Sequence, residues 1–159
     1  MVLACLQLAA VTAHRDGMQA PFSAADFVAR FTEFWRAPSP DRLTELLHPD
    51  VVLIQQLAPT TRGIAAAQHQ FRRFCRCLPG LHATVHHWHG DEALVFIEFT
   101  LHASFGRDTL HWPTLNRLIM HDGKANERAT YFDSLAVLPT FARHPSVWWH
   151  WCTSSRPTP

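Results

Sequence analysis

Hydrophobic residues recur along the chain with two different periods. Between residues 23 and 37, and again between residues 64 and 78, they return every three to four positions, the spacing of one face of an α-helix. From residue 82 onward they return at every second position, the spacing of one face of a β-strand. The pattern therefore predicts helices in the N-terminal half and strands in the C-terminal half.

Three helices are predicted in the N-terminal half. The first begins at Ser23, whose hydroxyl can cap it, and Asp26 lies in the first turn, where the helix dipole favours an acid. The second is short, has Pro40 at its first position and stops before Pro49. The third covers residues 64–78. Their inward-facing residues are Phe27, Phe31, Phe34 and Trp35, then Leu43, Leu46 and Leu47, then Ile64, Ala67, Phe71, Phe74 and Leu78.

Five strands are predicted. One covers residues 50–57, and four more cover residues 82–89, 93–105, 109–120 and 125–138, separated by short turns that contain Gly and Asp. Helices gathered on one side of a mostly antiparallel sheet define an α+β fold. Because long strands joined by short hairpins twist and curl, we expect a cone-shaped curved sheet with three helices packed on its concave face.

The length of 159 residues suits a single domain with one core. We expect an N-terminal extension at residues 1–21, the cone domain over residues 22–139 and an aromatic tail over residues 140–159. The tail carries tryptophans that would either cover the mouth of the cone or pack against a partner subunit. These are Trp148, Trp149 and Trp151.

The net charge limits which partners the protein can bind, and the cysteine content indicates its cellular compartment. With 14 Lys and Arg against 13 Asp and Glu, the formal net charge is +1, which argues against nucleic acid or an anionic membrane as a partner. No apolar run reaches the ~18–20 residues of a membrane-spanning helix. The 4 cysteines show no disulfide spacing, so reduced thiols in a cytoplasmic protein are expected.

The most specific motif follows the last predicted hairpin turn. There Asp122-Gly123-Lys124 leads into a strand that ends in Tyr131-Phe132-Asp133. Weaker motifs are Phe34-Trp35, residues 46–51 and Arg62-Gly63. On these residues, the span 22–138 resembles the nuclear transport factor 2-like superfamily and, within it, the SnoaL-like, polyketide cyclase-like group. The resemblance implies a cone fold, a hydrophobic pocket and a homodimer formed through the sheet.

The resemblance also implies Asp133 as a general acid/base. If Asp133 faces the pocket, strand alternation brings Tyr131 to the same side and turns Phe132 away. On the preceding strand, Asn116 could orient a substrate carbonyl or the Asp133 carboxyl. Each residue also has a structural alternative: Asp133 could bind backbone amides where the chain turns at Ser134, Tyr131 could be a core aromatic, and Asn116 could cap a strand edge.

The expected pocket is largely apolar and aromatic. Most of the pocket wall comes from one face each of the predicted strands at residues 93–105 and 109–120. The first helix and the first strand supply the rest of the wall. The predicted lining residues are Trp35, Leu53, Gln55, Phe99, Leu101, Trp112, Thr114 and Leu118. Such a wall suits a lipophilic ring compound.

Two other reactions of the superfamily fit less well. An epoxide hydrolase-like site would place Tyr and Asn where this chain has Leu53 and Gln55, and Arg and Asp near Phe99 and Leu101. A ketosteroid isomerase-like site would need an Asp where Gln55 and Gln56 stand, and amides do not shuttle protons at neutral pH. The leading hypothesis is a SnoaL-like enzyme that cyclises, isomerises or dehydrates a hydrophobic, carbonyl-bearing or polyketide-like substrate. The competing hypothesis is a non-catalytic ligand-binding or dimerisation module.

A histidine cluster raises the question of a metal. His87 and His89 share a strand face about 6.6 Å apart, a spacing that some strand-borne zinc sites use. His102 on the next strand is the only further ligand suggested, while His82 and His86 lie too far apart to share one zinc. A polar face open to solvent or to a dimer partner is the alternative, so we expect neither a metal nor another cofactor.

Overall fold

A curved six-stranded sheet and two α-helices form the domain. The structure is a computed structural model and describes residues 22–56, 58–105 and 108–135. The helices are Ala24–Arg36 (α1) and Ile64–Cys77 (α2), with a short 3₁₀ helix at Asp41–Glu45 between them. The strands are Leu47–Gln55 (β1), Thr61–Arg62 (β2), His82–Gly90 (β3), Leu94–Phe105 (β4), Asp108–His121 (β5) and Lys124–Phe132 (β6).

The strands lie in the order β2-β1-β6-β5-β4-β3. Strands β3 to β6 form an antiparallel meander, as the hairpin turns predict, and β2 pairs antiparallel with β1. Among the described strands, β1 and β6 are the pair that runs parallel. This pairing, which the sequence pattern did not reveal, sets the end of the first strand beside the end of the last one.

The expected second helix is wrong as an α-helix. Only the 3₁₀ helix Asp41–Glu45 forms, and β1 already begins at Leu47. Leu43, Leu46 and Leu47 are nevertheless buried at 2%, 3% and 3% exposure, so the inward face was predicted correctly. Two prolines nine residues apart, Pro40 and Pro49, leave room for little more than one turn.

The last strand is shorter than predicted. It ends at Phe132 rather than continuing to residue 138, and Ser134 and Leu135 are helical. The Asp133 carboxylate accepts a hydrogen bond from the backbone N–H of Leu135 at 2.9 Å, the geometry of a residue that caps a helical turn. The change of conformation at Asp133 therefore ends the strand.

Helix α1 packs its aromatic face on the concave side of the sheet. The Ser23 hydroxyl caps this helix by accepting a hydrogen bond from the backbone N–H of Ala25 at 3.2 Å. The ring of Phe31 lies edge-on to Phe99 of β4 at 5.5 Å, and Trp35 stacks on the same ring at 5.9 Å. These contacts join helix and sheet in one core.

The two faces of β4 and β5 are assigned correctly by the sequence pattern. Buried residues of the concave face are Val95, Ile97, Phe99 and Leu101 on β4 and Trp112, Thr114, Asn116 and Leu118 on β5. On the convex face Arg117 forms an ion pair with Glu127 of β6. The concave face is thus the interior of the domain.

Several expectations lie outside the described residues. These are the extension at 1–21, residues 136–139 of the expected domain, and the tail with Trp148, Trp149 and Trp151. Within the described ranges, neither helix is long and apolar enough to cross a membrane.

Candidate functional site

A cavity of about 180 Å³ lies between the helices and the concave face of the sheet. Its wall is mostly aromatic: Trp35 of α1 meets Phe71 of α2 edge-on at 5.8 Å, and Phe74 of α2 meets Trp112 of β5 at 6.3 Å. Phe99 and Leu101 of β4 continue the wall. An apolar cavity of ~150 Å³ is enough to bind benzene, so this one has room for a compact ring compound.

Polar residues of the cavity lie side by side across three strands. In the strand register, Thr130 of β6 stands opposite Gln55 of β1 on one side and Asn116 of β5 on the other. Directly paired residues share a face with Cβ atoms ~5 Å apart, and all three line the cavity. We call Gln55, Thr130 and Asn116 the polar row.

The atoms of the polar row differ in whether they are paired. The Gln55 amide donates to Gln70 Oε1 of α2 at 3.3 Å, and the Thr61 hydroxyl donates to the same oxygen at 2.9 Å. Asn116 Oδ1 and Thr130 Oγ1 are buried and have no hydrogen-bond partner in the described structure. Buried polar atoms without partners are costly, so these two are available to a ligand or a water.

Arg128 lies two residues before Thr130 on the same strand and also lines the cavity. In the strand register it stands between Leu53 of β1 and Leu118 of β5, two apolar residues. Burial lowers the pKa of Arg128 to about 10, so its guanidinium is charged at neutral pH. Within the described chain, Arg128 is the only ionisable side chain among the cavity-lining residues.

Most of the predicted lining residues lie in the cavity wall. Those that do are Trp35, Leu53, Gln55, Phe99, Leu101 and Trp112, and Asn116, predicted to orient the substrate, lines the cavity as well. Thr114 and Leu118 are buried on the same face of β5 but are not part of the wall. The structure thus brings together residues from four elements that are far apart in the sequence.

Asp133 and Tyr131 do not face the cavity. Tyr131 is 46% exposed and pairs with Leu115 on the convex face, whereas Phe132 lines the cavity, the reverse of the expected alternation. Asp133 is exposed and caps the helical turn at Ser134, which is the structural alternative considered for it. The expectation assumed that Asp133 faces the pocket and that the strand alternates without interruption. A bulge shifts the β5–β6 register by one residue, so Thr130 rather than Tyr131 shares the concave face with Asn116.

Sequence reasoning missed Arg128, Thr130 and Gln70. The first two share their side of β6 with Phe132, but a bulge beside Ile119 and Met120 shifts the register by one residue, so counting pairs from the tight turn at Asp122-Gly123 would have turned them away from the cavity. Gln70 gave no signal, because a single Gln within a helix is usually a solvent-facing residue. Its role depends on where α2 packs.

The other reactive side chains lie away from this cavity. Burial raises the pKa of the Cys75 and Cys77 thiols, so neither is an activated nucleophile. On the outer face, His102 Nδ1 lies 2.6 Å from His111 Nδ1 and its ring stacks on His82 at 4.7 Å. Across the described ranges, no group of three or more His, Cys, Asp or Glu side chains could hold a metal ion.

Comparisons with known proteins agree with this architecture. The family model of the SnoaL-like domain matches residues 28–128, and the chain belongs to this family. No curated protein sequence matches the chain.

Solved structures at low sequence identity share the fold. A candidate SnoaL-like polyketide cyclase from Jannaschia sp. CCS1 is 18% identical and superimposes with a TM-score of 0.64, covering 76% of this chain and 94% of that one. TerC, co-crystallised with polyporic acid, is 19% identical with a TM-score of 0.64, over 72% of this chain and 95% of that one. An LEH-like epoxide hydrolase from M. tuberculosis is 20% identical with a TM-score of 0.62, over 74% and 88% of the two chains.

Proposed function

We propose that this protein binds a hydrophobic, ring-containing small molecule in the cavity, with a polar group of the ligand directed at the polar row, where the Thr130 hydroxyl can donate to a ligand oxygen and Asn116 Oδ1 can accept from a ligand hydroxyl. The observation that carries the proposal is an aromatic cavity of about 180 Å³ in which buried Asn116 Oδ1 and Thr130 Oγ1 have no partner in the described structure. Apolar walls with a few convergent polar groups are typical of small-molecule sites. The fold's occurrence in TerC, co-crystallised with polyporic acid, supports the same ligand class.

Binding can be tested with a neutral two-ring ketone, 2-acetonaphthone. We expect saturable binding at one site per chain, measured by calorimetry and by the shift in melting temperature. Ala67 is 1% exposed and lines the cavity, so Ala67→Phe should fill it and weaken binding at least ~10-fold. The matched control is Ala66→Phe, because Ala66 is the neighbouring, exposed residue of α2. Equal binding by both variants would show that the ligand lies elsewhere.

Cyclisation, isomerisation or dehydration with Asp133 as general acid/base is the catalytic form of this proposal. Asp133 lies between Phe132 and Ser134, which both line the cavity, so it stands at the cavity's rim. Among the described residues, the cavity wall itself contains no carboxylate. Proton transfer by Asp133 would therefore require its carboxylate to leave the cap of the helical turn. Loss of turnover in Asp133→Asn with ligand binding retained would support this form.

We further propose that two copies of the chain pair through the convex face. Large apolar residues stay exposed there on neighbouring strands: Ile54, Leu115, Ile119 and Tyr131 at 40%, 38%, 39% and 46%. A self-complementary patch of this kind suits a twofold dimer. We expect Leu115→Glu to halve the mass measured by light scattering, and Leu135→Glu, a change at a residue outside the sheet, to leave it unchanged. A monomeric wild-type protein would contradict the proposal.

A further inference from the structure

Three arginines in the described structure have a buried Nε without a hydrogen-bond partner: Arg73, Arg117 and Arg128. Arg128 differs from the other two in the partners of the rest of its side chain. Arg117 has its carboxylate, Glu127, and Arg73 makes a further interaction. Arg128 has no such partner among the described residues, although its Nε is buried and its half-buried side chain lines the cavity.

An unpaired guanidinium in an apolar wall lowers the stability of the folded chain. Moving a charge out of water is unfavourable, and Leu53 and Leu118 on either side supply no compensating dipole. Arginine keeps its charge rather than releasing a proton, so the cavity retains a positive charge at neutral pH. A hydrophobic residue would suit this position better if the cavity only completed the core.

The surroundings of Arg128 define what could compensate the charge. Its guanidinium is a planar fork of N–H donors that matches the two oxygens of a carboxylate. Asn116 and Thr130 of the polar row lie one step further along the sheet, with further donors and acceptors. The aromatic wall, including Phe99 and Trp112, covers the rest of the cavity. The same cavity can therefore bind an anionic group at Arg128 and a hydrophobic ring against its aromatic wall.

We propose that the natural ligand is a flat hydrophobic molecule with a single carboxylate, and that Arg128 binds this carboxylate. The inference rests on the proposed function and adds the charge of the ligand. A neutral carbonyl could accept a hydrogen bond from Arg128 but would leave its charge buried and unpaired. An amine would add a second positive charge to a wall in which no described residue is acidic.

The charge of the ligand can be tested with pairs of compounds of nearly equal shape. Benzoate and 2-naphthoate are the anionic probes, and benzamide and 2-naphthamide are their neutral counterparts. We expect the wild-type protein at neutral pH to bind each acid about 10- to 100-fold more tightly than its amide, as measured by calorimetry. This comparison needs no variant, so it does not depend on whether a mutated chain folds.

Variants then assign the preference to Arg128. Arg128→Met keeps an unbranched side chain and removes the charge, and should bring the ratio of acid to amide affinity close to one. Arg128→Lys should retain part of the preference, because a charge remains without the planar fork. Arg76→Met is the matched control, since Arg76 is an exposed arginine in the last turn of α2 and should leave the ratio unchanged.

The outcomes separate the two proposals. A preference for the acids that disappears in Arg128→Met and persists in Arg76→Met supports the inference. Equal binding of acids and amides by the wild-type protein, or a preference that survives in Arg128→Met, overturns the role of Arg128 and leaves the cavity as a neutral binding site. If none of the four compounds binds and 2-acetonaphthone also fails, the proposed function fails together with this inference.

Discussion

Two arginines on neighbouring strands show how differently the two faces of one sheet use the same residue. Arg117 of β5 lies on the convex face and pairs with Glu127, both side chains being about one-third exposed or less, at 33% and 27%. Arg128 of β6 lies on the concave face among apolar neighbours, with no described partner. The ion pair is complete within the chain, whereas the buried charge lacks its counterpart.

The same division holds for the rest of the sheet. The concave face carries the core and the cavity, and the convex face carries an ion pair, histidines and exposed apolar residues. A substitution on the concave face should therefore change both stability and ligand binding. One on the convex face should affect stability less and leave the cavity intact.

The largest difference is expected between two phenylalanines on β4. Phe99 is 1% exposed and packs against Phe31 and Trp35, so Phe99→Ala should lower the free energy of unfolding by about 3–5 kcal/mol. Phe96 on the convex face is only partly buried, and Phe96→Ala should cost about 1–2 kcal/mol. Urea denaturation of both variants measures the difference. Equal losses would show that the two faces contribute alike to the core.

The two arginines should respond to the same substitution with opposite signs. Arg128→Met removes an unpaired, half-buried charge and should raise the free energy of unfolding of the ligand-free protein by about 1 kcal/mol. Arg117→Met leaves Glu127 without its partner and should lower it by about 1 kcal/mol. The comparison is made by denaturation without ligand. Destabilisation by Arg128→Met would mean that the folded chain itself supplies a partner for this charge.

Asp133 allows its capping role to be separated from proton transfer. Asp133→Ala removes the acceptor for the Leu135 N–H and should cost about 0.5–1 kcal/mol. Asp133→Asn keeps an acceptor oxygen and should be nearly neutral in stability. Neither change should weaken binding of 2-acetonaphthone as followed by calorimetry. A tenfold loss of affinity in Asp133→Asn would place its carboxylate at the ligand instead.

Much of the fold could be predicted because its local signals and its packing agree. The cap at Ser23, the hairpin turns and the two-residue alternation of β4 and β5 are all encoded within a few residues of where they act. The second helix and the end of β6 were predicted less well. At the second helix, the prolines at 40 and 49 shorten an apolar pattern that would otherwise continue as an α-helix. At the end of β6, the capping hydrogen bond of Asp133 starts a helical turn where the apolar pattern would continue the strand.

The candidate site was harder to predict, because it depends on contacts between distant parts of the chain. Apolar wall residues such as Phe99 and Trp112 follow from the alternation of a single strand. Gln55 and Asn116 were also expected in the pocket, but their alignment with Thr130 was not, since it requires the parallel pairing of β1 with β6 and the shifted register of β6 against β5. Arg128 resembled a surface arginine in a charged segment, and only the register turns it inward.

The smallest expected effect concerns the pH dependence of stability at the histidines of the convex face. In the folded protein, burial and the nearby His82, His111 and His86 lower the pKa of His102 below its ordinary value of 6.5. The unfolded chain therefore takes up this proton at a higher pH than the folded chain does. The stability contributed by neutral His102 is complete above pH ~6.5 and is lost as the pH falls through the lower, folded-state pKa.

Melting temperatures on both sides of this range measure the effect. Between about pH 7.5 and 5.5 the wild-type melting temperature should fall, and His102→Gln should remove about 1–2 °C of that fall. His69→Gln is the control, because His69 is exposed on α2 and should leave the pH dependence of the wild type unchanged. Since His102 Nδ1 lies 2.6 Å from His111 Nδ1, only one of these two atoms can carry a proton at a time. His111→Gln should therefore reduce the fall as well, and an unaltered pH dependence in both variants would show that the contact is not formed in solution.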